Sequence, residues 1–181
     1  MQEEILTKLG LEDIPPVEVP KNLSQALKKF VLSNKRFLVL YGPTGTFKTT
    51  AVKKFLKALA EEKYAKNGKV GCYDIRFVRF VDMPKLWQEE EEVFYKTKLL
   101  AIDDLVLSDF PDNFWLELFS LIDYRYTNPC KTIITTTHDL KRLLEVYYLK
   151  SLLEGEVSFQ QKIAARLCDE NLSMLVLSSA S

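Results

Sequence analysis

A lysine and a threonine directly follow a short glycine-containing loop in the segment Gly42-Pro43-Thr44-Gly45-Thr46-Phe47-Lys48-Thr49-Thr50. A loop that binds nucleotide phosphates reads G-x-x-x-x-G-K-[ST] and joins a strand to a helix. Glycine allows a backbone in which successive N–H groups converge on phosphate oxygens. Lys48 would bridge the β- and γ-phosphates as a point charge, and Thr49 would offer its hydroxyl to Mg²⁺. We therefore predict that residues 42–50 bind ATP with Mg²⁺.

One position departs from this pattern, because Phe47 stands where the second glycine is expected. The side chain of Phe47 either crowds the β-phosphate or points away toward the adenosine or the sheet, and the sequence leaves both options open. The alternative interpretation of the whole segment is an ordinary turn that leads into a helix.

An acidic pair at the end of an apolar run supports the phosphate-site interpretation. The run Leu99–Ile102 predicts a buried strand, and Asp103 and Asp104 follow it. In a parallel α/β sheet the ligand site lies at the carboxyl ends of the strands. We therefore predict that Asp103 holds Mg²⁺ beside Lys48, and that Asp104 orients or deprotonates the attacking water. On its own, the pair would be better interpreted as a simple acidic turn.

The composition is that of one ordinary folded domain. The chain has 181 residues, 47% of them hydrophobic, and its formal net charge is zero, so the total charge does not indicate binding to nucleic acid. Three scattered cysteines and one histidine argue against a structural zinc site and suit a reducing cytosol. The acidic amino terminus is unlike a signal peptide, and no apolar run reaches the ~20 residues of a membrane span. We expect a cytoplasmic protein without membrane contact.

Apolar periodicity and turn residues predict alternating strands and helices after a short amino-terminal helix and a proline-rich linker. Helices are expected at 1–12, 22–34, 48–66, 83–96, 114–126 and 159–167, and strands at 37–41, 70–81, 99–102, 132–136 and 172–177. This alternation predicts an open three-layer α/β fold with a parallel sheet covered on both faces. With the phosphate-loop motif at 42–50, it predicts a three-layer P-loop NTPase. We divide the chain into a linker region, 1–21, and an ATPase domain, 22–181.

Several motifs together resemble the AAA+ helicase-loader ATPases of bacteria, DnaC and DnaI, and the related IstB transposition ATPases. They are the phosphate loop with Tyr41, the segment LLAIDDL at 99–105, LIDYRY at 121–126 with TIIT at 132–135, and IAARL at 163–167. The resemblance runs from about residue 22 to residue 177. The first two motifs occur in many P-loop ATPases, whereas the last two are more specific to this group.

The resemblance implies an AAA+ core with a five-stranded sheet of order 5-1-4-3-2. It also implies a polar sensor residue after the fourth strand, at Thr136, Thr137 or His138, of which we count Thr137 and His138 among the catalytic residues. Arg166 matches the arginine finger, which reaches the ATP of a neighbouring subunit, so ATP-dependent self-assembly is implied as well. The implied partners are a replicative helicase and single-stranded DNA.

The resembling families usually carry an amino-terminal helicase-binding domain, and many AAA+ proteins a carboxyl-terminal helical lid; we expect this protein to lack both. Helicase loading in DNA replication is nevertheless our first functional prediction. The alternatives are an IstB-like transposition helper and a nucleotide-binding switch in which Phe47 has damaged hydrolysis. A small-molecule kinase is a less favoured fourth possibility.

Other surface features have an ordinary interpretation beside a functional one. The segment Arg76–Phe80 interleaves basic and aromatic residues as single-strand binders do, although Phe77 and Phe80 fit a core better. Lys141, Arg142 and Lys150 form either a basic patch or solvated surface. We expect Glu89–Glu92 to form a solvated helix face, and Trp87 and Trp115 to pack in the core.

Overall fold

The computed structural model describes residues 3–107 and 112–179. Its helices are α1 (Glu3–Leu9), α2 (Lys21–Leu32), α3 (Lys48–Asn67), α4 (Met83–Lys96), α5 (Asp112–Thr127), α6 (Leu140–Glu154) and α7 (Phe159–Leu167). Its strands are β1 (Phe37–Tyr41), β2 (Ile75–Arg79), β3 (Leu99–Asp103), β4 (Lys131–Thr136) and β5 (Ser173–Leu177). Met1 and Gln2 of the predicted first helix, and Ala180 and Ser181 of the predicted ATPase domain, lie outside the described residues.

The five strands form one parallel sheet in the order β2-β3-β4-β1-β5. Read from the other edge, this is the predicted order 5-1-4-3-2, so the expected fold class is confirmed. β1 lies between β4 and β5, where Phe37 is in register with Thr132 and Ser173. The carboxyl ends of β1, β3 and β4 therefore meet at one edge of the sheet.

Helices cover both faces of the sheet, and alternate residues of β1 divide between them. Phe37 and Val39 join the core that contains residues of α4, α5 and α7. Leu38 and Leu40 join the opposite core, with residues of α1, α2 and α3. Because successive strand side chains point to opposite faces, a strand that is buried on both sides must be apolar throughout. This explains the continuous apolar run of β1.

The amino-terminal helix packs on the domain rather than extending from it. Leu9 and Leu11 are fully buried, and the carbonyl of Lys8 accepts a hydrogen bond of 3.2 Å from Nη1 of Arg76 in β2. Gly10, directly after the helix, lies so close to the carbonyl oxygen of Phe77 that a Cβ there would be 2.3 Å from it, so this segment packs against the outer strand β2.

The second strand is shorter than predicted, because Gly71 and Asp74 form a turn before it and residues 80–82 form a 3₁₀ turn after it. Within this segment, Phe77 and Phe80 are buried, and Arg76 binds the carboxylate of Glu90 with two hydrogen bonds of 2.7 Å. The core interpretation of Phe77 and Phe80 is therefore confirmed, and Arg76 is held in an ion pair with Glu90. Glu90 is likewise half-buried, so the solvated face that we expected at Glu89–Glu92 is interrupted.

Helix α6 was not predicted from the sequence. It begins after Asp139, whose carboxylate caps the N–H groups of Lys141 and Arg142, and it ends at Gly155. Lys141 pairs with Glu170, and Lys150 lies 3.8 Å from Glu154, so acidic partners offset much of the charge in the suspected basic patch. The two tryptophans, by contrast, pack in the core as predicted.

The buried side chain of Arg125 forms hydrogen bonds with several elements around the sheet. Arg125 of α5 is fully buried, and burial lowers the pKa of its guanidinium to about 10, which still leaves it charged at neutral pH. Its N–H groups donate at 2.7–3.2 Å to the carbonyls of Phe94, Tyr95, Thr97 and Lys131 and to the hydroxyl of Thr132. One side chain therefore satisfies backbone groups at the end of α4, before β3 and at the start of β4.

Among the helices of the described residues, none combines the length and the hydropathy that crossing a bilayer demands.

Candidate nucleotide-binding site

A cleft of about 310 Å³ lies at the carboxyl edge of the sheet. It is lined by residues 44–50 of the phosphate loop and α3, by Asp103 at the end of β3 and Asp104 after it, and by Thr135 in β4 and Thr137 after it. The fold therefore brings the two sequence motifs, which are more than fifty residues apart in the chain, to one place.

The phosphate loop leaves the start of α3 without a side-chain cap. Phe47 occupies the capping position with φ 61°, and the first helical hydrogen bond runs from the N–H of Ala51 to the carbonyl of Phe47. The N–H groups of residues 48–50 consequently have no partner within the helix. They and the helix dipole favour an anion at this position.

Lys48 is folded onto the loop that precedes it. Its ammonium donates to the carbonyls of Gly42 and Pro43, at 2.8 and 2.7 Å, and to Oγ1 of Thr46 at 3.1 Å. Burial lowers the pKa of Lys48, and the charges of Asp104 and Asp103 oppose this shift in part. Within the loop, the carbonyls of Gly42 and Pro43 thus accept hydrogen bonds from the lysine, while residues 44–50 line the cleft.

Asp103 connects α3, β3 and β4. One of its carboxylate oxygens, Oδ1, accepts hydrogen bonds from the hydroxyl of Thr49 at 2.8 Å and from that of Thr135 at 2.6 Å. Asp103 is only 6% exposed, so these contacts fix its orientation. Sequence reasoning missed Thr135; its signal was a polar β-branched residue directly after Ile133 and Ile134, the two apolar residues of β4.

Asp104 has a left-handed backbone with φ 57°, which turns the chain sharply after β3. Its N–H donates to Oγ1 of Thr135 at 2.8 Å, and its carboxylate is exposed at the cleft. An exposed carboxylate in a rigidly held turn is suited to accept a hydrogen bond from a water molecule.

The three sensor candidates occupy different environments. Thr137 lines the cleft. The hydroxyl of Thr136 is buried and donates to the carbonyl of Leu105 at 2.7 Å, which directs it away from the cleft. His138 is half-buried, and its N–H donates to Oγ1 of Thr136; among the described residues it does not line the cleft.

Solved structures with a similar fold include several replication proteins. A DnaC helicase loader is 22% identical, with a TM-score of 0.59 over 98% of this chain and 100% of that one. A DnaI structure is 19% identical, with a TM-score of 0.64 over 99% and 95%. No protein-family model and no curated protein matches the chain.

The chain has a DnaC-like AAA+ fold. A further structure with a similar fold is described as "Replication initiator DnaA bound to AMPPCP and single-stranded DNA"; it is 15% identical, with a TM-score of 0.57 over 89% of this chain and 45% of that one.

Within this AAA+ fold, Arg166 lies away from the phosphate loop of its own chain. Its carbonyl accepts a hydrogen bond from Ser173 at the start of β5, whereas the loop follows the carboxyl end of the parallel neighbour β1. Because each of these strands has five residues, its amino and carboxyl ends lie about 16 Å apart. Nε and Nη2 of Arg166 each lie 2.9 Å from Oδ1 of Asp123, and the guanidinium lies 4.6 Å from the ring centre of Tyr126.

The left-handed backbone conformation of Phe47 is expected to lower the free energy of unfolding of the protein. At φ 61° a side chain costs about 1–2 kcal/mol that glycine avoids. We expect the Phe47→Gly variant to have a free energy of unfolding about 1 kcal/mol higher than the Phe47→Ala variant, as measured by urea denaturation.

Ala65, exposed on α3, provides the opposite control. The substitution Ala65→Gly is expected to lower the free energy of unfolding by about 1 kcal/mol, because glycine disfavours a helix interior. Equal or lower stability of Phe47→Gly relative to Phe47→Ala would show that the loop does not hold this left-handed conformation in solution.

Proposed function

We propose that this chain binds and hydrolyses ATP with Mg²⁺ as an AAA+ ATPase, and that it acts in DNA replication by assembling on a replicative helicase and single-stranded DNA. The observation that best supports this proposal is that one cleft contains Lys48, the uncapped start of α3 and the Thr49–Asp103 pair. The start of α3 offers N–H donors to phosphate oxygens, and Lys48 offers a positive charge once it exchanges its loop carbonyls for phosphate.

The oxygen ligands fit Mg²⁺. A hydroxyl and a carboxylate, held 2.8 Å apart, are hard donors of the kind that Mg²⁺ takes beside phosphate oxygens and water. When bound, Mg²⁺ would neutralise charge on the β- and γ-phosphates. Thr49 and Asp103 would hold it, and Thr135 would keep Asp103 in the required orientation.

Three further residues have proposed roles in hydrolysis. Asp104, exposed at the cleft, would orient the attacking water or accept its proton. Thr137 would contact the γ-phosphate as the sensor. Arg166 would stabilise charge on the phosphoryl group bound to a neighbouring copy, because its own phosphate loop lies at the other edge of the sheet.

The proposed partners, a replicative helicase and single-stranded DNA, are suggested by the structures that have a similar fold. The similar structures include a helicase loader and an initiator bound to single-stranded DNA. Because the net charge is zero, DNA binding by this chain would depend on a local surface or on the assembly. A pull-down with the replicative helicase tests this part separately from the ATPase activity.

A nucleotide-binding switch is the second candidate, and Phe47 favours it. Its side chain is 45% exposed and lines the cleft where the motif expects glycine. ATP binding without turnover, at every protein concentration and with or without DNA, would support the switch.

The first test is steady-state ATP hydrolysis as a function of protein concentration, with and without single-stranded DNA. We expect the rate per protomer to rise with concentration and with DNA. The Lys48→Ala variant should lose at least about 10²-fold in rate, because preorganised positive charge of this kind contributes that much to catalysis.

Lys57, on the same helix, is the matched control, and Lys57→Ala should retain the wild-type rate. If Lys48→Ala hydrolyses ATP as fast as Lys57→Ala, the cleft is not the ATPase site.

A further inference from the structure

The residue after β5 is buried against the phosphate loop. Ser178 is 1% exposed, although it follows the last strand and the next residue, Ser179, is exposed. Burial of a serine just beyond an edge strand requires partners for its polar groups.

Those partners lie at both ends of the phosphate loop. The N–H of Ser178 donates to the carbonyl of Tyr41 at 2.7 Å, where β1 ends, and its hydroxyl donates to the carbonyl of Thr46 at 2.9 Å, just before α3 begins. The carbonyl oxygen of Ser178 packs so closely on Gly42 that a Cβ there would lie 2.2 Å from it. Ser178 therefore contacts the phosphate loop both at its start and at its end.

The bond to Thr46 has a directional consequence. A peptide unit is planar and trans, so the carbonyl of Thr46 and the N–H of Phe47 point in opposite directions. With the carbonyl held toward Ser178, the N–H of Phe47 is directed away from Ser178. That N–H belongs to a residue that lines the cleft, immediately before the uncapped start of α3.

We propose that Ser178 is a positioning residue for phosphate binding, which fixes the Thr46–Phe47 peptide so that the N–H of Phe47 donates to the polyphosphate. This inference rests on the proposed ATP-binding function. It also makes the end of β5 part of the phosphate site, although no residue of β5 lines the cleft among the described residues. Without the hydroxyl of Ser178, the carbonyl of Thr46 loses the hydrogen bond that orients it, and one charge-assisted hydrogen bond to phosphate is weakened.

The test compares Ser178→Ala with Ser179→Ala, using ATP and inorganic tripolyphosphate as probes in titration calorimetry. We expect Ser178→Ala to bind both probes about tenfold more weakly, which is the effect of losing one such hydrogen bond. Ser179→Ala should bind them as the wild type does. Ser178→Thr retains a hydroxyl and should restore the affinity to within about threefold of the wild-type value.

A nuclear magnetic resonance measurement separates positioning from simple loss of structure. The backbone amide resonance of Phe47 should shift when tripolyphosphate is added to the wild-type protein and should shift much less in Ser178→Ala. Equal probe affinities for the two alanine variants would overturn the role of Ser178 and leave the proposed function intact. Failure of the wild-type protein to bind either probe would overturn the proposed function, and this inference with it.

Discussion

Alanine at position 166 is expected to lower the ATP turnover number by about 10³-fold or more, while each protomer still binds ATP with wild-type affinity. The guanidinium of Arg166 lies at the amino edge of the sheet, remote from its own phosphate loop, so in the proposed function it would act on ATP bound to a neighbouring copy. The measurement is turnover at a protein concentration that saturates assembly, together with the ATP dissociation constant.

Mixing two inactive variants tests whether the arginine acts between copies. Lys48→Ala protomers retain Arg166 and are expected to bind ATP poorly, whereas Arg166→Ala protomers are expected to bind ATP but lack the arginine. A mixture of the two should recover turnover that neither variant has alone. Arg142, an exposed arginine on α6, is the matched control, and Arg142→Ala should hydrolyse ATP normally. Normal hydrolysis by Arg166→Ala itself would refute the role.

Loss of the buried guanidinium of Arg125 is expected to have the largest effect on stability. Arg125→Ala should lower the free energy of unfolding by about 3–5 kcal/mol, because four carbonyls and one hydroxyl lose their donor inside the protein. Domains of this size have only about 5–15 kcal/mol to lose. Urea unfolding followed by circular dichroism measures the difference.

The same exposed arginine provides the control for stability. Arg142→Ala should change the free energy of unfolding by no more than about 0.5 kcal/mol, as expected for a surface substitution. Arg125→Lys is expected to remain well below the wild type in stability, because an ammonium cannot reproduce the planar five-donor geometry of the guanidinium. A wild-type unfolding midpoint for Arg125→Ala would mean that water replaces the lost donors.

The sheet and the phosphate loop could be predicted from the sequence because their signals are local. An apolar run that ends at Gly42, followed by Lys48 and Thr49, defines a strand, a loop and a helix within a few residues of each other. The approach of Asp103 to Thr49 also followed, because parallel strands end at a common edge. Thr135 had no such local signal, because its contact with Asp103 depends on how β3 and β4 align in the sheet, and the sequence around Thr135 does not specify that alignment.

Helix α6 escaped prediction for a different reason. Val146, Leu149 and Leu153 are more than half exposed, while Leu140 and Leu143 face the domain, so apolar residues occur on all sides and no stripe of helical period stands out. The capping residues at its two ends, Asp139 and Gly155, were the signals available. The conformation of Phe47 could not have been foreseen, because the motif expects glycine there and a side chain disfavours positive φ.

The position of Arg125 has a consequence for how the domain opens. Its five acceptors belong to the end of α4, the approach to β3 and the start of β4, so none of these segments can separate from α5 without leaving buried polar groups unpaired. Amides in this half of the sheet should therefore exchange with deuterium together, in one cooperative event. Helix α6, with much of its surface in solvent, is free to open at lower cost, so the strands that carry Asp103 and Thr135 remain ordered while the periphery fluctuates.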